Sequence, residues 1–494
     1  MTEKLPGSWS VAPLSELAEI NPGIDKARFQ DSDEVPFVPM LAVEAGTGRM
    51  DVSGRRPFAE VKSGFTPFAS GDVLFAKITP CMENGKMAVV PDLPHGVGFG
   101  STEFSVLRPT AAIDAKLLYY FVSSAAFRQE AQHHMTGAVG QKRVPKRYLE
   151  TKLFPLPPIN EQRRIVEKIE TLFAELDKGE EYLRQVQTLL ARYRQSVLKA
   201  AVTGELTAEW RAQRVGQLEH GRDLLARILK ARRENWQGRG NYSEPLAPDT
   251  SGLPKLPEGW VWASVGQIAH VIGGLTKNGK RPSMPLRRPM LRVANVYQNR
   301  LDLSEIHETG VTESELERVL LNPLDLLVVE GNGSKDQIGR MALWRGEIPN
   351  AVHQNHLIKV RLVEKRLVEF LLWWFQSPNG RQMIENVASS TSGLYTLSIS
   401  KIESLIAPVP SVEEAQEIAC QVREAFARID QLHAYTETEL RRSAALRQSI
   451  LKDAFAGKLV PQDSNDEPAS ELLARIRAQR ETESRKTTRR MATA

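Results

Sequence analysis

At 494 residues, with 41% hydrophobic and 25% charged side chains, the chain has ordinary globular usage and a length that suits roughly three domains. Only two cysteines, Cys81 and Cys420, are present, which excludes a disulfide framework or a cysteine-ligated zinc site and points to the reducing cytoplasm. A net charge of +5 with a pI near 9.0 is too mild to argue for a polyanionic partner, so the placement of the charges matters more than their sum. The stretch from Met1 to Val11 has no apolar leader, and nothing approaches the ~18 apolar residues of a membrane span. A soluble, unexported chain with no membrane association is expected.

Residues 1–155 alternate short apolar runs such as Val73-Leu74-Phe75-Ala76 with turn residues, which predicts a globular domain of mixed strands and short helices. Within it, Gly96-Val97-Gly98-Phe99-Gly100 reads as a turn between strands. Residues 156–207 read as a long spacer helix. From Glu161 the stripe runs Ile165, Ile169, Leu172, Leu176, Gly179, Leu183, Val186, Leu190, Tyr193, Val197, in the alternating steps of four and three of a coiled-coil seam. At ~1.5 Å per residue it extends roughly 60 Å to Val202, a spacer rather than a core helix. Residues 208–255 combine an amphipathic helix, Asp223 to Trp236, with a Pro/Gly-rich linker.

Residues 256–408 predict a second globular domain, with Leu326-Leu327-Val328-Val329 as one of its apolar runs. Residues 409–460 predict a second long helix, striped by Ile418, Val422, Ala425, Ile429, Leu432, Leu446 and Ile450 and weakened by Thr436, Glu439 and Ser443. Ser411 with Glu414 fits a capping box at its start, and Gly204 and Gly457 sit where C-cap glycines belong. Residues 461–494 predict a further helix and a basic tail.

One shift of 253 relates the halves. It carries Arg194-Gln195-Ser196-Val197-Leu198-Lys199 onto Arg447-Gln448-Ser449-Ile450-Leu451-Lys452, and Pro155, Pro157, Glu161, Phe173 and Asp177 onto Pro408, Pro410, Glu414, Phe426 and Asp430. It also carries Asp72-Val73-Leu74 onto Asp325-Leu326-Leu327, and Leu5-Pro6 with Trp9 recurs as Leu256-Pro257 with Trp260 at a shift of 251. Leu224-Leu225-Ala226-Arg227-Ile228 returns as Leu472-Leu473-Ala474-Arg475-Ile476. The fold class is therefore α+β: two mixed α/β domains separated by two long helices that bury their stripes against each other as an antiparallel coiled coil, in a pseudo-two-fold internal repeat. A shared scaffold with divergent loops suits a duplicated recognition module with two targets.

The entry Pro155-Leu156-Pro157-Pro158-Ile159-Asn160-Glu161-Gln162-Arg163-Arg164-Ile165, with Gly204-Glu205-Leu206-Thr207 and Gly457-Lys458-Leu459-Val460, resembles the specificity subunit of type I restriction-modification systems over essentially the whole chain. The second copy reads Glu413-Glu414-Ala415-Gln416, so Gln162 has no counterpart in register. The resemblance implies that each globular domain is a target recognition domain reading half of a split, asymmetric double-stranded DNA site, with the helices setting the spacing. It also implies docking to two methyltransferase subunits that use S-adenosylmethionine on adenine N6, and to motor-nuclease subunits using ATP and Mg2+. The chain itself is expected to carry no catalytic residue, metal or cofactor.

Sequence signs agree with that expectation. No Gly-x-x-x-x-Gly-Lys-Ser/Thr loop occurs, and Gly137 to Lys142 has the wrong spacing. The Asn/Asp-Pro-Pro-aromatic tetrapeptide of amino-methyltransferases does not occur. His133-His134, and His353 with His356, lack a third clustered ligand, which favours a structural or DNA-contacting role over a metal. Bases are read in the major groove by paired donors and acceptors, from Arg or Lys to guanine and from Asn or Gln to adenine. On that ground the DNA-binding candidates are Lys77, Asn84, Lys86, His133, Thr136, Gln141, Lys142, Arg143 and Lys146 in the first half. In the second half they are Asn332, Ser334, Lys335, Gln337, Arg340, Gln354, Asn355, Ser392 and Tyr395. Arg143 and Lys335 are the most favoured to face DNA.

Overall fold

The computed structural model describes residues 5–138, 140–236, 241–391 and 394–478. The chain divides into two compact units, Met1–Arg184 with Glu437–Ala494, and Gln185–Thr436. Each unit therefore holds one globular domain, the start of the long helix that follows it and the end of the other long helix.

In the first unit a four-stranded antiparallel sheet runs in the order Ala18–Ile20, Phe104–Pro109, Val73–Ala76, Met87–Val89. Its central apolar run is continuous because both faces are covered. Val73 and Phe75 enter one core, with helices Ala115–Ser123 and Ala125–His133, while Leu74 and Ala76 enter another with Phe68 and Phe104. A second sheet runs Arg55–Pro57, Glu34–Val38, Val97–Gly100, Thr66–Ala69. Of the glycine-rich stretch expected as a turn, Gly96 ends a turn and Val97–Gly100 is a buried strand. The two glycines of the strand are required by close approach: a Cβ on Gly98 would stand 2.6 Å from the Phe68 ring, and one on Gly100 2.6 Å from the Val38 carbonyl.

The second unit repeats this plan. Its sheet runs Ala269–Gly273, Leu357–Leu362, Asp325–Val329, Met341–Trp344, with Leu326 and Val328 in one core and Leu327 and Val329 in another. The second sheet runs His307–Gly310, Arg287–Leu291, Val352–His353, and a parallel pairing recurs at the same shift: Val38 opposite Gly100, Leu291 opposite His353. The repeated aspartates now have a reason. Asp72, buried, accepts the Ala69 amide at 2.7 Å and both donors of Arg108 at 2.8 and 2.9 Å. Asp325 does the same with the Asn322 amide at 2.7 Å and Arg361, both contacts at 2.6 Å. One carboxylate closes a turn and ties it to the neighbouring strand.

The long helices span Ile159–Val202 and Val412–Phe455, 44 residues each, about 66 Å at ~1.5 Å per residue. Within each unit they run antiparallel, because partners along one helix rise in number as those along the other fall. In the first unit Glu180 accepts from Ser443 at 2.8 Å, Asp177 pairs with Arg447 at 2.6 Å, and the Arg447 guanidinium lies 5.0 Å from the Phe173 ring centre. In the second, Gln187 donates to Thr436 at 3.0 Å, Asp430 pairs with Arg194, and Arg194 lies 4.1 Å over Phe426. Arg194, Phe426 and Asp430 are the repeat images of Arg447, Phe173 and Asp177, so the same contact is made twice with the copies exchanged.

The seam differs from the expected stripe in its middle. Ile165, Ile169, Leu190, Ile418, Val422, Ile429 and Ile450 are buried and Leu172, Leu176 and Leu183 half-buried, but Val186, Tyr193, Leu432 and Leu446 stand exposed. Beyond Leu176 the apolar Leu183, Leu190 and Val197 alternate with polar contacts from Glu180, Gln187 and Arg194, which stand one position beyond Gly179, Val186 and Tyr193. Hydrogen bonds and arginine-on-phenylalanine stacking hold those polar positions, and polar seam residues of this kind fix register.

The helix entries are buried. Glu161 accepts from the Trp9 indole at 3.0 Å, and Glu414 from the Trp260 indole at 2.9 Å. Ser411 caps the Glu414 amide at 3.1 Å, but the Glu414 carboxylate does not turn back to complete a capping box; it takes Trp260, Thr207 at 2.8 Å and Arg211 instead. Gln162, fully buried, donates to the Ala112 and Pro157 carbonyls and accepts the Asp114 amide, fastening the first helix to its domain. The exit glycines, Gly204 and Gly457, both at φ +72, press on Pro257 with Trp260 and on Pro6 with Trp9, respectively. After each exit a helix straps across the start of the domain: Gly221–Glu234 bonds through Gly221 N to the Gly259 carbonyl at 2.7 Å, and residues 469–478 through Ala469 N to Ser8 at 3.0 Å.

Removing Glu414 strands an indole, a hydroxyl and a guanidinium at a buried spot, so Glu414→Ala should cost about 3 kcal/mol. Glu161→Ala removes neutral partners only, the Trp9 indole and the Gln462 amide, and should cost about 1 to 2 kcal/mol. Denaturant midpoints followed by tryptophan fluorescence check both values and their order.

Candidate nucleic-acid interfaces

In the first unit, the candidates Thr136, Gln141, Lys142 and Arg143 sit on a hairpin. Thr136 and Arg143 exchange backbone bonds at 3.0 and 2.8 Å, Thr79 N donates to Lys142 O at 3.0 Å, and Val144 N to Lys77 O at 2.8 Å. The turn needs glycine at Gly137, φ +123, where a Cβ would meet the Gln141 carbonyl at 3.0 Å, and at Gly140, φ +82. Thr136, Gln141 and Lys142 are exposed. Arg143 instead spends its guanidinium on Glu103, at 2.8 and 2.7 Å, and on the Gln141 carbonyl at 3.2 Å, and this holds the Glu103 carboxyl below the usual carboxylate range. Arg143 is thereby the clamp at the hairpin base, and the exposed groups beyond it are Gln141 and Lys142.

The other first-half candidates are placed differently. Lys77 is half-buried under the hairpin and near Glu103, Lys86 donates to the Met40 carbonyl at 3.1 Å, and Lys146 pairs with Glu150 at 3.3 Å along its own helix. Asn84 and His133 are exposed.

In the second unit the same place is a three-stranded sheet, Gly331–Asn332, Leu394–Thr396, Ser389–Thr391. Asn332 pairs with Tyr395 in register, Leu397 N donates to Glu330 O at 2.8 Å, and Glu330 N to His356 O at 3.0 Å. The fold thus gathers the segments bearing Asn332, Tyr395 and Gln354 to His356. Ser334, Lys335 and Gln337 are exposed beyond the strand, with Lys335 3.9 Å from Glu385. Gln354 and Asn355 are half-buried. Arg340 turns away, donating to the Val293 carbonyl at 3.1 Å, and Ser392 lies outside the described residues.

At a shift of 253, Lys77, Glu103 and Arg143 become Glu330, His356 and Thr396. The charge at the hairpin base is inverted: Glu330 now faces His356 at 3.0 Å. His353, one of the histidines weighed for metal or DNA, is neither exposed nor clustered. It is fully buried, its Nδ1 on the Leu357 carbonyl at 2.8 Å and its Nε2 without a partner. Among the described residues no group of three His, Cys, Asp or Glu could hold a metal ion, and no helix is long and apolar enough to cross a membrane. The loop from Leu275 to Ser283 lies outside the candidate residues because its signal, a run of cations without acids, is one of composition rather than spacing.

Two copies of one mixed α/β domain, each presenting a polar hairpin of different chemistry on a common frame, define a duplicated recognition protein. Residues 6–183 match the type I restriction modification DNA specificity domain. The EcoKI specificity subunit of Escherichia coli (strain K12), a type I restriction enzyme, is 28% identical over 496 aligned positions that cover 97% of this chain and 96% of that one. Two solved chains share the fold. One, from work on complex assembly and conformational transition of the type I R-M system, has a TM-score of 0.63 at 20% identity, covering 92% of this chain and 99% of that chain. The other, the HsdS subunit from Thermoanaerobacter tengcongensis, has a TM-score of 0.55 at 19% identity, covering 93% of this chain and 100% of that chain. Residues 6–183 thus carry a type I restriction-modification DNA specificity domain, and over nearly its whole length the chain is similar to a type I specificity subunit.

Burial, with Lys359 nearby, lowers the His353 pKa to about 3, so it stays neutral in the folded domain while the unfolded chain takes a proton below ~6.5. The stability this neutral histidine allows is complete above pH ~6.5 and is lost as pH falls toward 3, about 2 kcal/mol by pH 5. Urea titrations between pH 7 and 5 should show that slope, and His353→Asn, which can still donate to Leu357, should remove it.

Proposed function

We propose that each globular domain reads one half of a bipartite, asymmetric DNA site and that the paired long helices set the distance between the halves. The subunit docks two methyltransferase subunits that carry S-adenosylmethionine to adenine N6, and with them motor-nuclease subunits that use ATP and Mg2+. It lends them sequence selection and brings no catalytic centre or cofactor of its own.

The observation that carries this reading is the contrast between frame and hairpin. The buried frame keeps its tying pairs at one shift, as in Asp72 with Arg108 and Asp325 with Arg361. The exposed positions are not kept: Gln141 and Lys142 become Leu394 and Tyr395, and the base of the hairpin reverses its charges. Selection for folding alone would not require that pattern, whereas two readers facing two base sequences would. The match of residues 6–183 to the DNA specificity domain and the relative named for its restriction enzyme support the same assignment.

Co-expressing the chain with its methyltransferase and mapping methylated adenines across a genome should recover a split motif. Exchanging residues 1–155 for the corresponding domain of a relative should alter one half of that motif and leave the other. A change in both halves, or in neither, defeats the assignment.

A further inference from the structure

The repeat is not electrostatically symmetric. Between Glu258 and Asp302 the chain has no acidic residue, yet carries seven lysines and arginines from Lys277 to Arg300. The equivalent stretch of the first domain, residues 6–48, holds seven acids, from Glu16 to Glu44, against two cations, Lys26 and Arg28. The mild net charge of the whole chain conceals this difference.

The centre of the basic stretch is a built loop. Arg281, 8% exposed, donates to the Thr276 carbonyl at 2.9 Å, to the Gly310 carbonyl at 2.9 Å and to both oxygens of Glu315 at 3.2 and 2.9 Å. From inside, it pins the loop on which Lys277 and Lys280 stand exposed. The Lys280 amide bonds to the Asn278 side chain at 2.9 Å, and the Arg281 amide to the Asn278 carbonyl at 3.2 Å, so the turn between the lysines is closed. The loop is also sewn to the candidate readers: Leu275 N donates to His353 O at 2.8 Å, and Asn355 N to Leu275 O at 2.9 Å. Two ammonium groups thus stand on a fixed backbone beside Gln354 and Asn355.

We propose that the loop from Leu275 to Ser283 is a phosphate clamp of the second domain, in which Lys277 and Lys280 bind backbone phosphates of duplex DNA beside the bases faced by Gln354 and Asn355, and that the first domain has no equivalent. This rests on the DNA-reading assignment and deepens it. The second domain then carries the larger share of salt-dependent, sequence-independent affinity, and the first contributes selection with little electrostatic hold. Arg281 is a positioning residue, held by Glu315, whose carboxyl it lowers to about 2.

The test uses the full chain assembled with its methyltransferase. Binding to a duplex containing the mapped site, and to a scrambled duplex, is measured as a function of salt. Each lost phosphate contact lowers the slope of log K against log salt by about 0.9. K277Q with K280Q should therefore reduce the slope by about 1 to 2, weaken both duplexes by the same factor and leave the methylated sequence unchanged. K26Q with R28Q in the first domain should leave the slope as it is. An unaltered slope in K277Q/K280Q, an equal loss in K26Q/R28Q, or a changed motif overturns the clamp while DNA reading stands. A wild-type assembly that selects no sequence overturns the reading itself, and in that case a reduced slope on the scrambled duplex still supports the clamp and an unchanged one removes it.

Discussion

Each globular domain is closed by a helix end that belongs to the other half of the chain. The carboxylate at one helix entry, Glu161 or Glu414, is buried under a tryptophan of its own domain, Trp9 or Trp260. The glycine at the exit of the other helix presses on that tryptophan and on the proline before it. Only the glycine contact needs both halves of the sequence, and the main core of each unit gathers around this junction: the strap helix after the exit, the paired helices before it and the sheet beyond. A buried carboxylate is costly unless all its acceptor positions are filled, and here an indole with an amide, or an indole with a hydroxyl and a guanidinium, fills them.

The same exchange governs the helices. Arg194 stacks on Phe426 and pairs with Asp430, and Arg447 stacks on Phe173 and pairs with Asp177. One set of residues, used twice with the copies interchanged, specifies pairing, direction and register together. Aliphatic stripes alone would tolerate a slip by one heptad, whereas an arginine that must meet both a ring and a carboxylate does not.

Upon this frame the two domains diverge where a ligand would meet them. Conformation is held by backbone pairing and by a clamp at the hairpin base, so side chains at the tip are free to differ without cost to folding. The first domain clamps with Arg143 on Glu103 and the second with strand pairing and a Glu330–His356 contact. Charge diverges as well, the basic stretch after Glu258 standing where the first domain is acidic.

The sequence by itself determined the repeat, the two mixed domains, the long helices and their ends, because these depend on local periodicity and on residues recurring at one fixed shift. It marked Trp9, Glu161, Asp72, Phe173 and Arg194 as recurring without saying why. Their partners lie far along the chain, and only tertiary structure brings 9 to 161, 72 to 108 and 194 to 426. Tertiary structure also decided that Gly96 to Gly100 is mostly strand, that Glu180, Gln187 and Arg194 join the helix seam in place of Gly179, Val186 and Tyr193, and that Arg143 is spent on Glu103. A periodic stripe says which residues are apolar, not which face a neighbour will cover, and a cation in a polar loop reads the same whether or not an acid distant in sequence stands within reach.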